Sequence, residues 1–318
     1  MANSYTTLKG FNSMADVDYQ NTIQQNVINF FDWGFLDKGA FTNVRLSRND
    51  IRGSDRSKLY LVKDPNYPAG TVWSTFRENL VWESGLSCQT QPIAISGIYV
   101  GGAFKTPTTA GFQHYIDYVN GRVILSNPIP LNSVVQMEYS YKSIKFTNLN
   151  AIPIINEAQS YTYDLTKGDY ANPSGDYGVL GRSRIQFPIV AVEMPSAKYR
   201  PLEMGNSSQL LDFDVLFNVI SEDDETARKI STFISLQKDT TIFLFDLGMM
   251  SSSGTFPLDY RGTPISGALT YPSLVADSVN GGYRFSKLYF GDTNLSGPNR
   301  VGTIYHSTVR ITTETYTK

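Results

Sequence analysis

Catalysis and metal binding need particular side chains at particular spacings, and this chain offers few. Its two histidines, His114 and His306, both fall in strand-like runs. A nucleophilic triad needs an imidazole beside a hydroxyl or thiol, oriented by a carboxylate, and no G-x-S-x-G elbow occurs to present one. The single cysteine, Cys88, lies in a Ser/Thr/Gln-rich turn. Without an adjacent base its thiol reads as inert, and one Cys with two distant His does not make a usual zinc site. No phosphate-binding glycine loop is present; Gly101-Gly102 and Gly281-Gly282 read as turns. Two acidic groupings remain. Asp212 and Asp214 share one strand face, the arrangement of a carboxylate pair for glycoside hydrolysis, although 29 acidic residues give such pairs by chance. The run at 222–225 lacks EF-hand spacing, and a helix first turn, where the dipole favours negative charge, accounts for it. The sequence predicts no enzyme, no cofactor and no metal.

The elements that would position a site are more legible. Residues 185–193 (IQFPIVAVE) form a β-branched run ending at Pro195. Residues 210–220 then alternate: Phe213, Val215, Phe217 and Val219 point one way, Asp212, Asp214 and Asn218 the other, which predicts a half-buried strand. The period changes at Ser221, a good N-cap with Asp224 three residues on. Ala227, Ile230, Phe233 and Ile234 follow at helical spacing, and 241–247 (TIFLFDL) reads as a buried strand. A helix between two strands covers a sheet by a right-handed crossover if those strands are parallel. Upstream, 1–15 reads as a mobile arm, and Val17, Ile23, Val27, Phe30 and Phe31 predict a helix over 16–36, stopped by Gly34 and Gly39.

Between these lies an all-β stretch, 41–146. Asn120-Gly121 joins two β-rich runs and predicts a two-residue type I′ hairpin, because Asn-Gly accepts the positive φ such a turn demands. Residues 134–142 alternate again. Polar, Tyr-rich segments at 147–184 and 248–282 lack periodicity; loops that long are usually functional or disordered. Two further strand candidates, 283–290 and 302–313, suggest a hairpin arm reaching beyond the core.

Composition narrows the partners. The chain has 318 residues, so two or three units are expected at roughly 100–200 residues each. It is 41% hydrophobic, hence globular, but only 18% charged. Tyr and Phe are plentiful, which suits a surface that packs against other proteins. With net charge −2 and no Lys/Arg run, the footprint of a nucleic-acid binder is missing. One cysteine allows no intrachain disulfide and fits a reducing compartment. The N-terminal residues (MANSYTTLKGF) do not read as a signal peptide, and no apolar run predicts a membrane span.

Two groups of segments resemble a known family. VWESG (81–85), QPIAISGIYVGGAF (91–104), HYIDYVNGRVIL (114–125) and VVQMEYSYK (134–142), in that order, resemble a β domain in virion structural proteins of contractile-tailed bacteriophages. RPLEMGNSSQLLDFDVLFNVISEDDETARKISTFI (200–234) resembles the core of tail-terminator and neck proteins, and the N-terminal helix and the strand around 188–192 fit that module. The resemblance implies an α+β chain: a small tail-terminator-like α/β core with an inserted all-β domain and a C-terminal β-hairpin arm. The expected divisions are 1–40 (arm and core helix), 41–146 (inserted domain), 147–252 (core) and 253–318 (C-terminal β segment). It also implies a structural role in the virion neck or upper tail: a homo-oligomeric ring, commonly a hexamer, joining tail tube or sheath to the head connector. DNA would pass through its lumen without specific binding. Such a protein is made in the host cytoplasm and needs neither cofactor nor membrane. Candidate subunit contacts are Tyr199, Arg200 and Leu202 before the long strand, and Phe256, Tyr260 and Arg261 in the second polar segment. The rival reading is a carbohydrate-binding module of a baseplate or fibre, because the chain is β-rich and aromatic.

Overall fold

The computed structural model describes residues 19–46, 56–148, 162–164, 169–171, 186–201, 209–276, 283–301 and 304–317. In chain order the elements are α1 (Tyr19–Asp37), β1 (Phe41–Val44), β2 (Tyr60–Leu61), β3 (Val72–Ser74), β4 (Ile98–Val100), β5 (Ala103–Lys105), β6 (His114–Asp117), β7 (Arg122–Leu125), β8 (Val135–Gln136), β9 (Tyr139–Lys142), β10 (Lys145–Asn148), β11 (Thr162–Asp164), β12 (Asp169–Ala171), β13 (Ile189–Pro201), β14 (Gln209–Ser221), α2 (Asp224–Ser235), β15 (Thr241–Phe245), α3 (Leu247–Ser253), α4 (Tyr271–Val275), β16 (Arg284–Val301) and β17 (Ile304–Thr317). The chain is mixed α+β and mostly β.

β14 behaves as its alternation dictates. Leu211, Phe213, Val215, Phe217 and Val219 are buried in the main core, and Asp212, Asp214 and Asn218 lie on the opposite face, as period two requires. The sheet around it has the order β10-β13-β14-β17-β16-β15. All its pairs are antiparallel except β10 with β13. Both α1 and α2 lie on the apolar face. Ile23, Val27, Ile28 and Phe31 of α1 and Ile230 and Ile234 of α2 enter one core with the strands. The aromatic end of α1 packs in that core: the Phe31 ring meets Phe217 edge-on at 4.9 Å and stacks on Phe290 at 6.0 Å.

Four expectations are corrected here. The C-terminal strands are no arm: β17 pairs with β14 along its whole length and β16 lies beside it, so they are central strands of the core sheet. β14 and β15 are neither neighbours nor parallel, so α2 is not a parallel crossover; it lies across β14, β17 and β16. Pro195 does not end its strand. β13 continues to Pro201 past a register shift between Glu193 and Ser196, and an irregularity of this kind tolerates a residue without an N–H. The α2 N-cap is Asp223, not Ser221; its carboxylate accepts from the backbone N–H of Glu225 and Thr226, while Ser221 closes β14.

Residues between α1 and β10 form three small sheets, β1-β9, β2-β3-β7-β6 and β5-β4-β8, around a separate core that includes Trp73, Ile98, Val123, Val135, Met137 and Tyr139. The β6–β7 hairpin forms in the expected place, but not with a two-residue type I′ turn. Asp117 pairs with Arg122, leaving a four-residue loop. Asp117 closes it, accepting from the Asn120 backbone N–H at 3.0 Å and from Asn120 Nδ2 at 2.7 Å. Only Gly121 of the pair has positive φ, +61°. The carboxylate closure competes with the Asn-Gly preference and wins.

Among the described residues, several contacts join these small sheets to the core. Lys142 reaches Asp32 of α1, and the Ser143 N–H donates to the Ala40 carbonyl at 2.8 Å. Arg77 Nη1 donates to the Phe187 carbonyl, and the Glu78 N–H to Gln186 Oε1. From the β15–β16 connection, the Gly262 carbonyl accepts from the Tyr118 N–H at 3.0 Å and Thr263 Oγ1 donates to the Ile116 carbonyl at 2.7 Å. β6 is the edge of its sheet, so this last contact covers backbone groups an edge would otherwise expose.

Candidate subunit interface

Two surfaces carry the residues singled out from sequence. The first lies at the end of the core sheet where β13, β14 and β17 run together. Tyr199 and Arg200 are neighbours on β13 and therefore point to opposite faces. Tyr199 is on the helix side, where its hydroxyl accepts from Gln20 Nε2 at 3.0 Å, yet half of it stays exposed. Arg200 is on the other face and forms an ion pair with Asp212. Beside that pair, Asp214 accepts from Arg310 Nη2 at 2.6 Å and from Ser196 Oγ at 2.8 Å. The Arg310 guanidinium holds the Asp214 carboxyl below the usual carboxylate range, against a smaller opposing effect of burial. Leu202 lies outside the described residues.

The two strand carboxylates thus each have their own guanidinium, one from β13 and one from β17. A general acid for glycoside hydrolysis needs a raised pKa, and Asp214 is shifted the opposite way. His114 is buried on β6 and its Nδ1 lies 2.8 Å from the Phe112 carbonyl. His306, on β17, sits with Nε2 3.0 Å from Asn218 Oδ1. Burial lowers both imidazoles. Cys88 Sγ contacts the Thr90 carbonyl. Among the described residues no group of His, Cys, Asp and Glu has the arrangement of a metal site, and no helix is long and apolar enough to cross a membrane.

The second surface is the loop seated on β6. Gly262 has φ +73°, and a Cβ there would stand 2.5 Å from Asp117 Oδ1, so only glycine brings the loop this close. Its neighbour Arg261 lies over the Tyr115 and Tyr260 rings, 5.1 Å from each centroid, and donates from Nε to the Tyr260 hydroxyl at 2.7 Å. The Tyr115 hydroxyl is 3.4 Å from that of Tyr67. Tyr260 is 88% exposed and Phe256 45%. The structure therefore joins Tyr260 and Arg261 to two tyrosines of the inserted sheets, and Tyr199 and Arg200 to a different set. Sequence reasoning missed Tyr67 and Tyr115, because nothing local marks which outward-facing strand residues a distant loop will meet. It missed Arg310 for the same reason. No family model, no curated protein and no solved structure matches the chain.

Proposed function

We infer that this chain is a phage virion structural protein of the neck or upper tail, a terminator-like ring joining tail tube or sheath to the head connector. The observation that carries the reading is the charged end of the core sheet's second face. Helices α1 and α2 occupy the first face; the second carries a buried apolar cluster of Ile189, Ala191, Ile220 and Ile304 at one end, and at the other an ordered row of Arg200, Asp212, Asp214 and Arg310, with both arginine side chains more than half exposed. Exposed, preorganised charge pairs of this kind suit a neighbour of complementary charge. The Tyr260–Arg261 loop adds the residue types enriched at interface centres. In this reading copies associate head to tail, and a head-to-tail contact that closes makes a ring, a hexamer by the resemblance. DNA passes through without specific affinity, consistent with a net charge of −2.

Cryo-EM of the virion tests this directly. The expected result is density for the chain as a closed ring on the tail axis between connector and tube; separate monomers, or density in fibres away from the axis, would exclude the reading. The aromatic group of Tyr67, Tyr115 and Tyr260 favours a second reading, a carbohydrate platform on a baseplate or fibre. A glycan array separates the two, because only that platform predicts glycan binding that Tyr260→Ala abolishes.

A further inference from the structure

Where α1 meets the inserted sheets, three charged side chains from three parts of the chain share one largely buried site, in which Asp32 is the most exposed at 23%. Lys142, on β9, places Nζ 2.5 Å from Asp32 Oδ2 on α1 and 2.6 Å from Glu83 Oε1, in the segment after β3. The Lys142 and Glu83 side chains are 13% and 6% exposed. The second Glu83 oxygen accepts from the Trp82 N–H at 3.1 Å. The same segments supply an apolar cluster of Leu36, Val81 and Leu86, with Trp33, Phe41 and Cys88 against them. Asp37, farther along α1, is occupied separately: it accepts from the Ser87 N–H and hydroxyl, and the hydroxyl above all holds its carboxyl below the ordinary value. Facing Glu83, then, are one carboxylate from α1 and one ammonium from β9.

The arithmetic of this site is uneven. One ammonium serves two carboxylates, so with all three ionised the junction buries an excess negative charge. Buried charge is costly unless it is paired. We propose that Lys142, Asp32 and Glu83 form a proton-dependent latch, in which uptake of one proton by the carboxylate pair tightens docking of the inserted sheets onto α1. Undocked, both carboxylates face water and the excess costs little. Docked, the proton removes it while both contacts to Lys142 remain available, since a protonated carboxyl keeps an acceptor oxygen. Glu83 is the member that takes the proton: burial raises its carboxyl, Lys142 lowers it, and Asp32 adds to the rise, with the balance upward. Burial opposes the charge on Lys142, but the two carboxylates outweigh it and hold the ammonium above its ordinary range. A group raised in the folded state contributes fully below its unfolded value, and that contribution is lost as pH rises through the folded value. The latch is therefore tight in mild acid and slackens towards alkaline pH, the reverse of an ordinary salt bridge between Lys and Glu.

Hydrogen exchange on the purified full chain reads the latch locally. The Ser143 amide, bonded to the Ala40 carbonyl, bridges the docked parts, and β14 amides such as Val215 report the core sheet in the same experiment. Between about pH 5 and about pH 8, after correction for intrinsic exchange, wild-type protection at Ser143 should fall progressively while β14 stays protected. Glu83→Gln keeps an acceptor for Lys142 and removes the excess charge; its Ser143 protection should be high and flat with pH. Lys142→Met leaves two facing carboxylates without a cation, so protection should be lost at the alkaline end and regained towards acid. A flat wild-type profile would overturn the proposal. So would a Glu83→Gln variant that is looser than wild type at every pH, because Glu83 would then be needed as an anion. If Glu83→Gln fails to fold, the Lys142→Met profile decides: no recovery in acid sinks the latch.

Discussion

At the residue scale the most exacting position is Gly121. Its φ is +61°, and a Cβ would stand 2.5 Å from Thr75 Oγ1 and closer still to the Arg77 carbonyl. Gly121→Val therefore combines a φ that β-branched residues resist with a backbone collision, and should cost about 2–4 kcal/mol. A denaturant midpoint unchanged from wild type would contradict this. Asp214 gives a pH effect of known sign. Its folded-state pKa is depressed, chiefly by Arg310, so its contribution is present above the ordinary Asp value and is lost as pH falls through the depressed one. Arg310→Ala should lower stability at neutral pH, and its deficit against wild type should shrink as pH falls through the depressed value, as measured by chemical unfolding followed by circular dichroism across an acid titration. This runs opposite to the Glu83 latch, so the two groups separate in one experiment. Asp212 and Asp214 were legible as a pair from their spacing. Their partners were not, since Arg200 lies 12 and Arg310 96 positions away.

At the element scale, period two reveals which face a strand buries but says nothing about its neighbours. That is why the core face of β14 was readable while its pairing with β17 was not. β16 was harder still: Gly291 and the Gly297-Pro298 pair resemble turn punctuation, yet they lie at register shifts between Phe290 and Thr293 and between Ser296 and Asn299 inside a strand of 18 residues. Helix α1 was legible from its apolar spacing, but one of its polar residues does more than face solvent. Asn26 is fully buried; its Oδ1 accepts from the Phe245 N–H at 2.8 Å and its Nδ2 donates to the Phe245 carbonyl at 2.9 Å. The side chain closes the β15 edge as another strand would. Asn26→Leu keeps similar volume but strands both backbone groups, and should destabilise the chain by about 2–4 kcal/mol, read from chemical unfolding. An effect no larger than that of an exposed α1 substitution such as Gln25→Leu would show that β15 does not depend on this contact.

At the scale of the whole molecule, the proposed ring makes two demands. Arg261→Glu and Tyr260→Ala, both at exposed positions, should leave the thermal midpoint of the isolated chain unchanged but lower incorporation into virions; normal incorporation of the double variant would remove this loop from the interface. In a filter-binding assay the chain should retain no duplex DNA at physiological salt, whereas tight binding that falls steeply with salt would reveal phosphate contacts a sliding lumen should lack. One topological fact also governs how the molecule comes into being. The centre of the core sheet is the β14–β17 pairing, in which Phe213 lies opposite Thr313, and the loop to be closed spans most of a domain's length. The inserted sheets pair through short hairpins and can condense early, whereas the β13–β14 hairpin must wait for the β16–β17 hairpin before its flank is covered. Non-local pairing of this kind slows folding and prolongs the lifetime of half-built, edge-exposed species. Heat or overproduction during that interval should divert chains into aggregates, so the yield of soluble protein should respond to expression temperature far more steeply than the melting point of the finished fold.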